Sequence, residues 1–161
     1  MKTRLFNNLL LFSLFGIALY FFGILYEGVV YGPKMMDVSM ERMLFWKSFT
    51  SVISPIVYYV PWTYLATITL VVLCFKAPAE LKTRLRWASI FQIVSLVITI
   101  YILAGINFKA SFGNLEKYAD AIPDKVLAFN ILSFFRIILA ATALIFVFKG
   151  YVQTQKGHAV G

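Results

Sequence analysis

Four long apolar runs, separated by short polar segments, lie at about 5–31, 48–75, 87–108 and 126–148. A helix needs roughly 20 apolar residues to cross the hydrocarbon core of a bilayer, and each run is long enough. Short connections between such helices favour antiparallel neighbours. The pattern therefore predicts an all-α protein, with one transmembrane domain over 1–161 folded as an up-down-up-down four-helix bundle.

The first run follows Lys2 and Arg4, as the apolar part of a signal peptide would. It extends over about 5–25, which is longer than the usual apolar region of a signal peptide, and no small-residue cleavage site follows. We therefore expect an uncleaved first helix.

The basic residues lie between the apolar runs, so the net charge of +8 is interpreted as a topology signal and not as a nucleic-acid surface. The side that holds both ends of the chain and the basic segment 76–86 has more Lys and Arg than the other side. Most Asp and Glu residues lie on that other side, which we call the outer side. This bias predicts a multi-pass protein of the plasma (bacterial inner) membrane, with both termini in the cytoplasm and the bilayer as its first partner.

Composition agrees with this class, because 61% of the residues are hydrophobic, against about 45–50% in soluble domains. Cys74 is the single cysteine, which excludes an intrachain disulfide and a dithiol active site. His158 is the single histidine, so a bis-histidine haem site or a histidine-rich metal cluster cannot form. We expect no metal and no cofactor.

A polar segment, 109–125, precedes the fourth run. Within it, Leu115, Tyr118, Ala119 and Ile122 follow an i, i+3, i+4, i+7 spacing, which predicts a short amphipathic outer helix at about 114–122. Asp124 is expected to cap the N-terminus of the fourth helix.

Arg136 lies near the middle of the fourth run, where a charged side chain costs roughly 2.5–3.5 kcal/mol on insertion scales. It should therefore turn inward and have a partner. Glu27, near the outer end of the first helix, shares a helical face with Gly16, Tyr20 and Gly23. Since an arginine can reach along its aliphatic stem, the sequence predicts a Glu27–Arg136 pair.

Further polar and aromatic side chains are expected at about the same depth, in the outer half of the bundle. Those assigned to a candidate binding pocket are Asn107, Asn130, Ser133, Tyr31, Trp46, Tyr58 and Trp62. Two interpretations stay open. The pair can fix the register of the helices, with the asparagines as interhelical hydrogen bonds. Alternatively, the carboxylate and the guanidinium can act on a flat, mostly apolar molecule, since ionisable groups inside membranes are candidate functional residues.

Four short motifs carry a family resemblance: GILYEGVVYGP at 23–33, FWKSF at 45–49, GIN at 105–107 and NILSFFR at 130–136. Together they resemble the anthrone-oxygenase-like family of small four-helix integral membrane proteins, much of which is classed as a domain of unknown function. Two positions depart from the family pattern. No proline precedes Asn107, and no tryptophan opens the fourth helix. The fold inference is unaffected by these departures, and the substrate is left open.

The resemblance implies an oxidoreductase that oxygenates an electron-rich polycyclic or quinol-like substrate without metal or flavin. In such chemistry Glu27 would act as the base, and Arg136, helped by Asn130 or Asn107, would stabilise the anion. A non-catalytic accessory or structural subunit of an inner-membrane complex is the alternative, because the chain has no strong catalytic motif. A small transporter is a third hypothesis, although no inverted repeat is visible. Whether the protein forms a homo-oligomer stays open.

Overall fold

A computed structural model of the protein describes residues 3–36, 39, 41–42, 44–45, 47–48, 56–107 and 122–158. The predicted outer helix at 114–122 lies outside these residues, except for Ile122. Most of the predicted entry to the second helix, 49–55, also lies outside them.

The described chain is helical. Its elements, in chain order, are α1 (Thr3–Tyr26), a π-helical segment π1 (Glu27–Tyr31), the single turn α2 (Gly32–Met35), α3 (Ile56–Lys76), α4 (Ala79–Tyr101), a second π-helical segment π2 (Ile102–Asn107) and α5 (Ile122–His158). Within the described residues, four helical stretches are long and apolar enough to cross a membrane, as the four apolar runs predicted.

Two helices are longer than the apolar runs that predicted them. α4 begins at Ala79, eight residues before the expected start at 87, and α5 continues to His158 beyond the expected end at 148. Both extensions are polar, because hydropathy marks where a helix lies in lipid and not where its backbone hydrogen bonds stop. Asp124 lies inside the first turn of α5, so its predicted role as N-cap is wrong. An acidic residue in this first turn still stabilises the helix through the backbone dipole.

The distribution of polar and apolar side chains is the reverse of that in a soluble domain. Large apolar side chains such as Phe15, Phe22, Phe75 and Phe134 are more than 60% exposed. Buried polar side chains instead line the helix contacts: Ser13, Thr63, Thr67, Ser89, Gln92, Ser95, Thr99, Ser133 and Arg136. An apolar exterior around a partly polar interior is expected when the solvent is lipid.

The helices pack in a ring, in which α1 contacts α3 and α5, and α4 contacts α3 and α5. Gly16 of α1 allows α1 and α3 to approach closely, because a Cβ atom placed there would overlap the Cβ of Ala66 in α3. At one end of the bundle, which we call the Phe6 end, an apolar cluster joins residues from all four helices: Phe6, Leu10, Leu70, Leu73, Leu81, Leu85 and Val147.

The opposite end, which we call the Glu27 end, contains π1, the start of α3 and π2. It has a different core, built around Tyr20, Ile24, Tyr59, Leu96 and Ala140. A further apolar cluster packs the start of α5 against Ile102 of π2. The two cores divide the bundle into an apolar half and a half that carries the candidate site.

Candidate functional site

The predicted pair between α5 and the end of the first helix is present. Arg136 Nη2 lies 2.6 Å from Glu27 Oε2, within the range of a charge-assisted hydrogen bond. The two residues are 109 positions apart in the chain, so the contact fixes α5 against π1. The requirement that a guanidinium at membrane depth should find an anion therefore predicted the correct partner.

The other oxygen of the same carboxylate contacts α3. Tyr59 donates its hydroxyl proton to Glu27 Oε1, so the carboxylate receives one donor on each oxygen. The ring of Tyr59 packs edge-on against that of Tyr20, with ring centroids 6.3 Å apart. Gly23, one turn before Glu27, provides the space, because a Cβ atom there would meet the Tyr59 ring at about 3 Å.

Hydroxyl groups of α4 and α5 complete the arrangement around the guanidinium. Arg136 Nη1 donates to Thr99 Oγ1 at 3.4 Å, and Nη2 also donates to Ser133 Oγ at 3.3 Å. Thr99 Oγ1 lies 2.6 Å from the Tyr20 hydroxyl, and Ser95 Oγ donates to the backbone carbonyl of Arg136 at 3.0 Å. All four long helices thus contribute to one network, which we call the polar cluster: Tyr20, Glu27, Tyr59, Ser95, Thr99, Ser133 and Arg136.

Irregular helix geometry coincides with this cluster. Glu27 is the first residue of π1, and its carbonyl accepts the N–H of Gly32 five residues later. π2 begins at Ile102, three residues after Thr99. Single π-helical turns inside α-helices are rare and occur often at functional sites. Two of them at the same end of the bundle mark the Glu27 end as the part of the fold that departs from regular packing.

Asn130 holds the segment after Glu27 in place, and its hydrogen bonds within the described residues go to neighbours other than the pair. Its Nδ2 donates to the carbonyls of Val126 at 2.9 Å and Gly32 at 3.3 Å, and it lies 3.4 Å from Met36 Sδ. A Cβ atom on Gly32 would overlap Asn130 Oδ1. The predicted interhelical hydrogen bond of Asn130 is therefore present, and it anchors α2 to α5.

Access to the pair is unequal. The Arg136 side chain is 1% exposed, and the Glu27 side chain is 13% exposed. The guanidinium carbon Cζ of Arg136 lies over the Phe129 ring, 5.8 Å from the ring centroid. The Nε of Arg136 has no hydrogen-bond partner among the described residues. An approaching molecule would therefore meet the carboxylate before the arginine.

The other predicted pocket residues are only partly assembled. Ser133 contacts Arg136 directly. Tyr31 lies in π1 and packs edge-on against Tyr26, with ring centroids 5.5 Å apart. Trp62 is not part of the cluster, because its side chain is 53% exposed on the outside of α3. Trp46 and the side chains of Tyr58 and Asn107 lie outside what the structure describes.

Sequence reasoning did not assign Tyr59, Ser95 or Thr99 to the site, and helical spacing could have found them. Tyr59, Thr63, Ala66 and Thr67 follow an i, i+4, i+7, i+8 spacing of hydroxyl and small residues on α3. The buried polar residues of α4 recur at similar steps: Ser89, Gln92, Ser95 and Thr99. In a helix whose outer face contacts lipid, a polar or small stripe predicts the inward face.

Among the described residues, no three His, Cys, Asp or Glu side chains are grouped so as to hold a metal ion, and the expectation of a metal-free site stays a prediction. The fold and the site define a four-helix bundle with apolar outward faces and an interhelical carboxylate–guanidinium pair. Comparison with protein-family models, with curated proteins and with solved structures gave no match. The resemblance to the anthrone-oxygenase-like family is therefore still a prediction from short motifs.

Proposed function

We propose that the chain is an up-down-up-down protein of the plasma membrane, of the bacterial inner-membrane type, with both termini in the cytoplasm. The contacts support this course. Phe6, early in α1, shares a core with Leu73, late in α3, and with Val147, late in α5. Tyr20, late in α1, bonds to Thr99, late in α4. The excess of Lys and Arg at the Phe6 end supports a cytoplasmic location for that end.

We further propose that the Glu27 end binds a small, flat, hydrophobic molecule and acts on it, with Glu27 as the proton acceptor. The observation that carries this proposal is the unequal access to the pair, since the carboxylate is partly exposed while its arginine is buried. A structural ion pair does not need an exposed edge, nor an Arg136 Nε that has no hydrogen-bond partner among the described residues. A catalytic base does need an exposed edge, because its substrate must reach it.

The chemistry that the family resemblance implies is compatible with this arrangement. Glu27 would take a proton from an acidic CH2 group held between aromatic rings, and the delocalised carbanion would add to dioxygen. The peroxide anion takes back a proton, and loss of the second C–H proton together with hydroxide leaves a ketone. One oxygen atom ends in the carbonyl and the other in water, so dioxygen is the only oxidant required.

Arg136 and Tyr59 would stabilise the anion formed from the substrate, because both lie next to Glu27. Both donate to Glu27, so a substrate oxyanion formed beside this carboxylate lies next to a guanidinium and a phenolic hydroxyl. Apolar surroundings such as the Phe129 ring keep these donors out of bulk water, which strengthens their interaction with a developing charge.

The test uses purified protein in mild detergent, with anthrone and a quinol panel as substrates. Dioxygen uptake and the absorbance of the quinone product are followed, with the spontaneous oxidation rate subtracted. We expect wild-type turnover above this rate, and a loss of at least about a hundredfold in Glu27→Gln, the size of a general-base contribution.

Two matched variants control this test. Glu80→Gln removes an exposed carboxylate at the Phe6 end, and Tyr64→Phe removes an exposed hydroxyl of α3. Both should keep full activity, whereas Tyr59→Phe should lose part of it. Equal turnover by Glu27→Gln and wild type would remove the assigned role of Glu27. No wild-type turnover above the spontaneous rate on any substrate would reject the oxygenase proposal.

An accessory or structural subunit is the second candidate, and the closure of the polar cluster favours it. Both Glu27 oxygens are already paired, and the network joins all four long helices, as a purely structural element would. The test is purification in mild detergent followed by mass determination. Co-purification of another membrane protein in fixed stoichiometry supports this candidate, and a stable monomer or homo-oligomer counts against it.

A further inference from the structure

A second candidate site lies at the Phe6 end, between α4 and α5. A cleft of about 310 Å³ is lined by Arg84 of α4 and by one face of α5: Phe148, Lys149, Val152, Gln153 and Lys156. Three of these six side chains are cationic. Among the described residues, none of the three has a carboxylate within salt-bridge distance. The cleft therefore carries positive charge that no described carboxylate compensates.

One of the three cations is held in a defined position. Arg84 Nη1 donates to Gln153 Oε1 at 2.7 Å, which connects the helices across the cleft. Because a guanidinium has five N–H donors, four are left for a ligand. A fixed planar fork of this kind suits the oxygen pairs of phosphate groups.

The surroundings of the cleft place it at the surface of the bilayer. Trp87, one turn after Arg84, is 48% exposed and stacks on Phe91. Tryptophan side chains are enriched where a membrane protein meets the interface between lipid and water. On α5 the exposed apolar side chains of Ile145 and Phe148 lead directly to Lys149. Charge is thus concentrated where an apolar, lipid-facing stripe ends.

We propose that this cleft binds an anionic phospholipid, with its phosphate between Arg84, Lys149 and Lys156 and one acyl chain along Ile145 and Phe148. Basic pockets between membrane helices recognise head groups in this manner. The apolar stripe distinguishes this ligand from a soluble phosphate ester, which would share the three cations but make no use of Phe148. The proposal does not depend on the function of Glu27.

The test measures binding of short-chain phosphatidylglycerol to the full chain in detergent by native mass spectrometry. Phosphatidylcholine of the same chain length and inorganic phosphate are the comparison ligands. The variant is the triple Arg84→Gln, Lys149→Gln and Lys156→Gln. Its control is the triple Lys76→Gln, Lys82→Gln and Arg86→Gln, which removes the same charge from exposed residues of the same end that do not line the cleft.

We expect phosphatidylglycerol to bind wild-type protein more tightly than either comparison ligand. The cleft triple should weaken this binding about a hundredfold, because each basic side chain near an anionic surface contributes roughly fivefold. The control triple should weaken it less than about fivefold, the contribution of one basic side chain, because its three residues do not line the cleft. Circular dichroism and size exclusion establish that both triples are folded.

Three results would overturn the proposal. Equal losses of affinity in the two triple variants would mean that only the total charge of the Phe6 end matters for lipid binding. Equal affinity for phosphatidylcholine would mean that the cations do not distinguish an anionic head group from a zwitterionic one. Binding of inorganic phosphate as tight as that of phosphatidylglycerol would assign the cleft to a soluble phosphate and not to a lipid.

Discussion

The two ends of the bundle join the same four helices by different physics. At the Phe6 end the helices meet through fully buried leucine side chains, for example Leu10, Leu73 and Leu85. At the Glu27 end they meet through a carboxylate, a guanidinium and several hydroxyls. Lipid is as apolar as leucine, so the Phe6 end is held by van der Waals packing and not by exclusion of water.

The difference matters for what each end tolerates. An apolar contact can lose one methyl group and keep the rest, so its energy changes gradually. A buried ion pair depends on both members, since the charge that remains is stranded in a medium of low dielectric. A buried pair is also often no more stabilising than apolar side chains of the same volume. The Glu27 end therefore carries groups that packing alone does not require.

The largest expected effect concerns one half of the pair. Arg136→Met should destabilise the protein by about 3 kcal/mol, because among the described residues it leaves the Glu27 carboxylate with Tyr59 as its remaining donor. The double variant Glu27→Gln with Arg136→Met should recover most of this loss. Reversible unfolding in mixed micelles, followed by circular dichroism, gives the three free energies. A single variant as stable as the double variant would contradict the coupling.

The sequence predicts the four candidate spans more completely than it predicts the candidate site. The four spans follow from hydropathy, and the pairing of Arg136 with Glu27 follows because ionic groups are rare and costly at membrane depth. The choice between Tyr58 and Tyr59 required the rotation of α3, since adjacent residues of a helix point about 100° apart. The extension of α5 to His158 could not be predicted from hydropathy, because its last turns are polar.

The second-largest effect on stability is expected from a substitution in the apolar cluster of the Phe6 end. Leu85→Ala removes a fully buried side chain of the apolar cluster. We expect a loss of about 2 kcal/mol, at the low end of values for buried leucine, because in lipid the lost packing is not joined by a transfer term. Leu65→Ala, at a half-exposed position of α3, is the matched control and should change the stability little.

Combining variants from both ends sharpens this test. Leu85→Ala added to Arg136→Met should give the sum of the two losses, because distant sites without shared partners are additive. A departure of more than about 0.5 kcal/mol from additivity would mean that the ends are not independent. The apolar half and the polar half would then have to be treated as one cooperative core.

The smallest effect is expected between the two ends, at a residue that follows neither pattern. Gln92 is fully buried on α4, one turn before Ser95, and neither atom of its amide has a hydrogen-bond partner among the described residues. Tyr20 contacts Ser95, and Gly16 lies one turn before Tyr20, so Gln92 is near the level of the close Gly16–Ala66 contact. An unpartnered amide there costs free energy that an apolar side chain of similar size avoids.

Gln92→Leu should therefore raise the free energy of unfolding by about 1 kcal/mol, and Gln92→Glu should lower it. Both are measured by reversible unfolding in mixed micelles, as for the other variants. A loss of stability in Gln92→Leu would mean that the amide has a polar partner inside the bundle, and the polar half would then extend to the middle of the membrane.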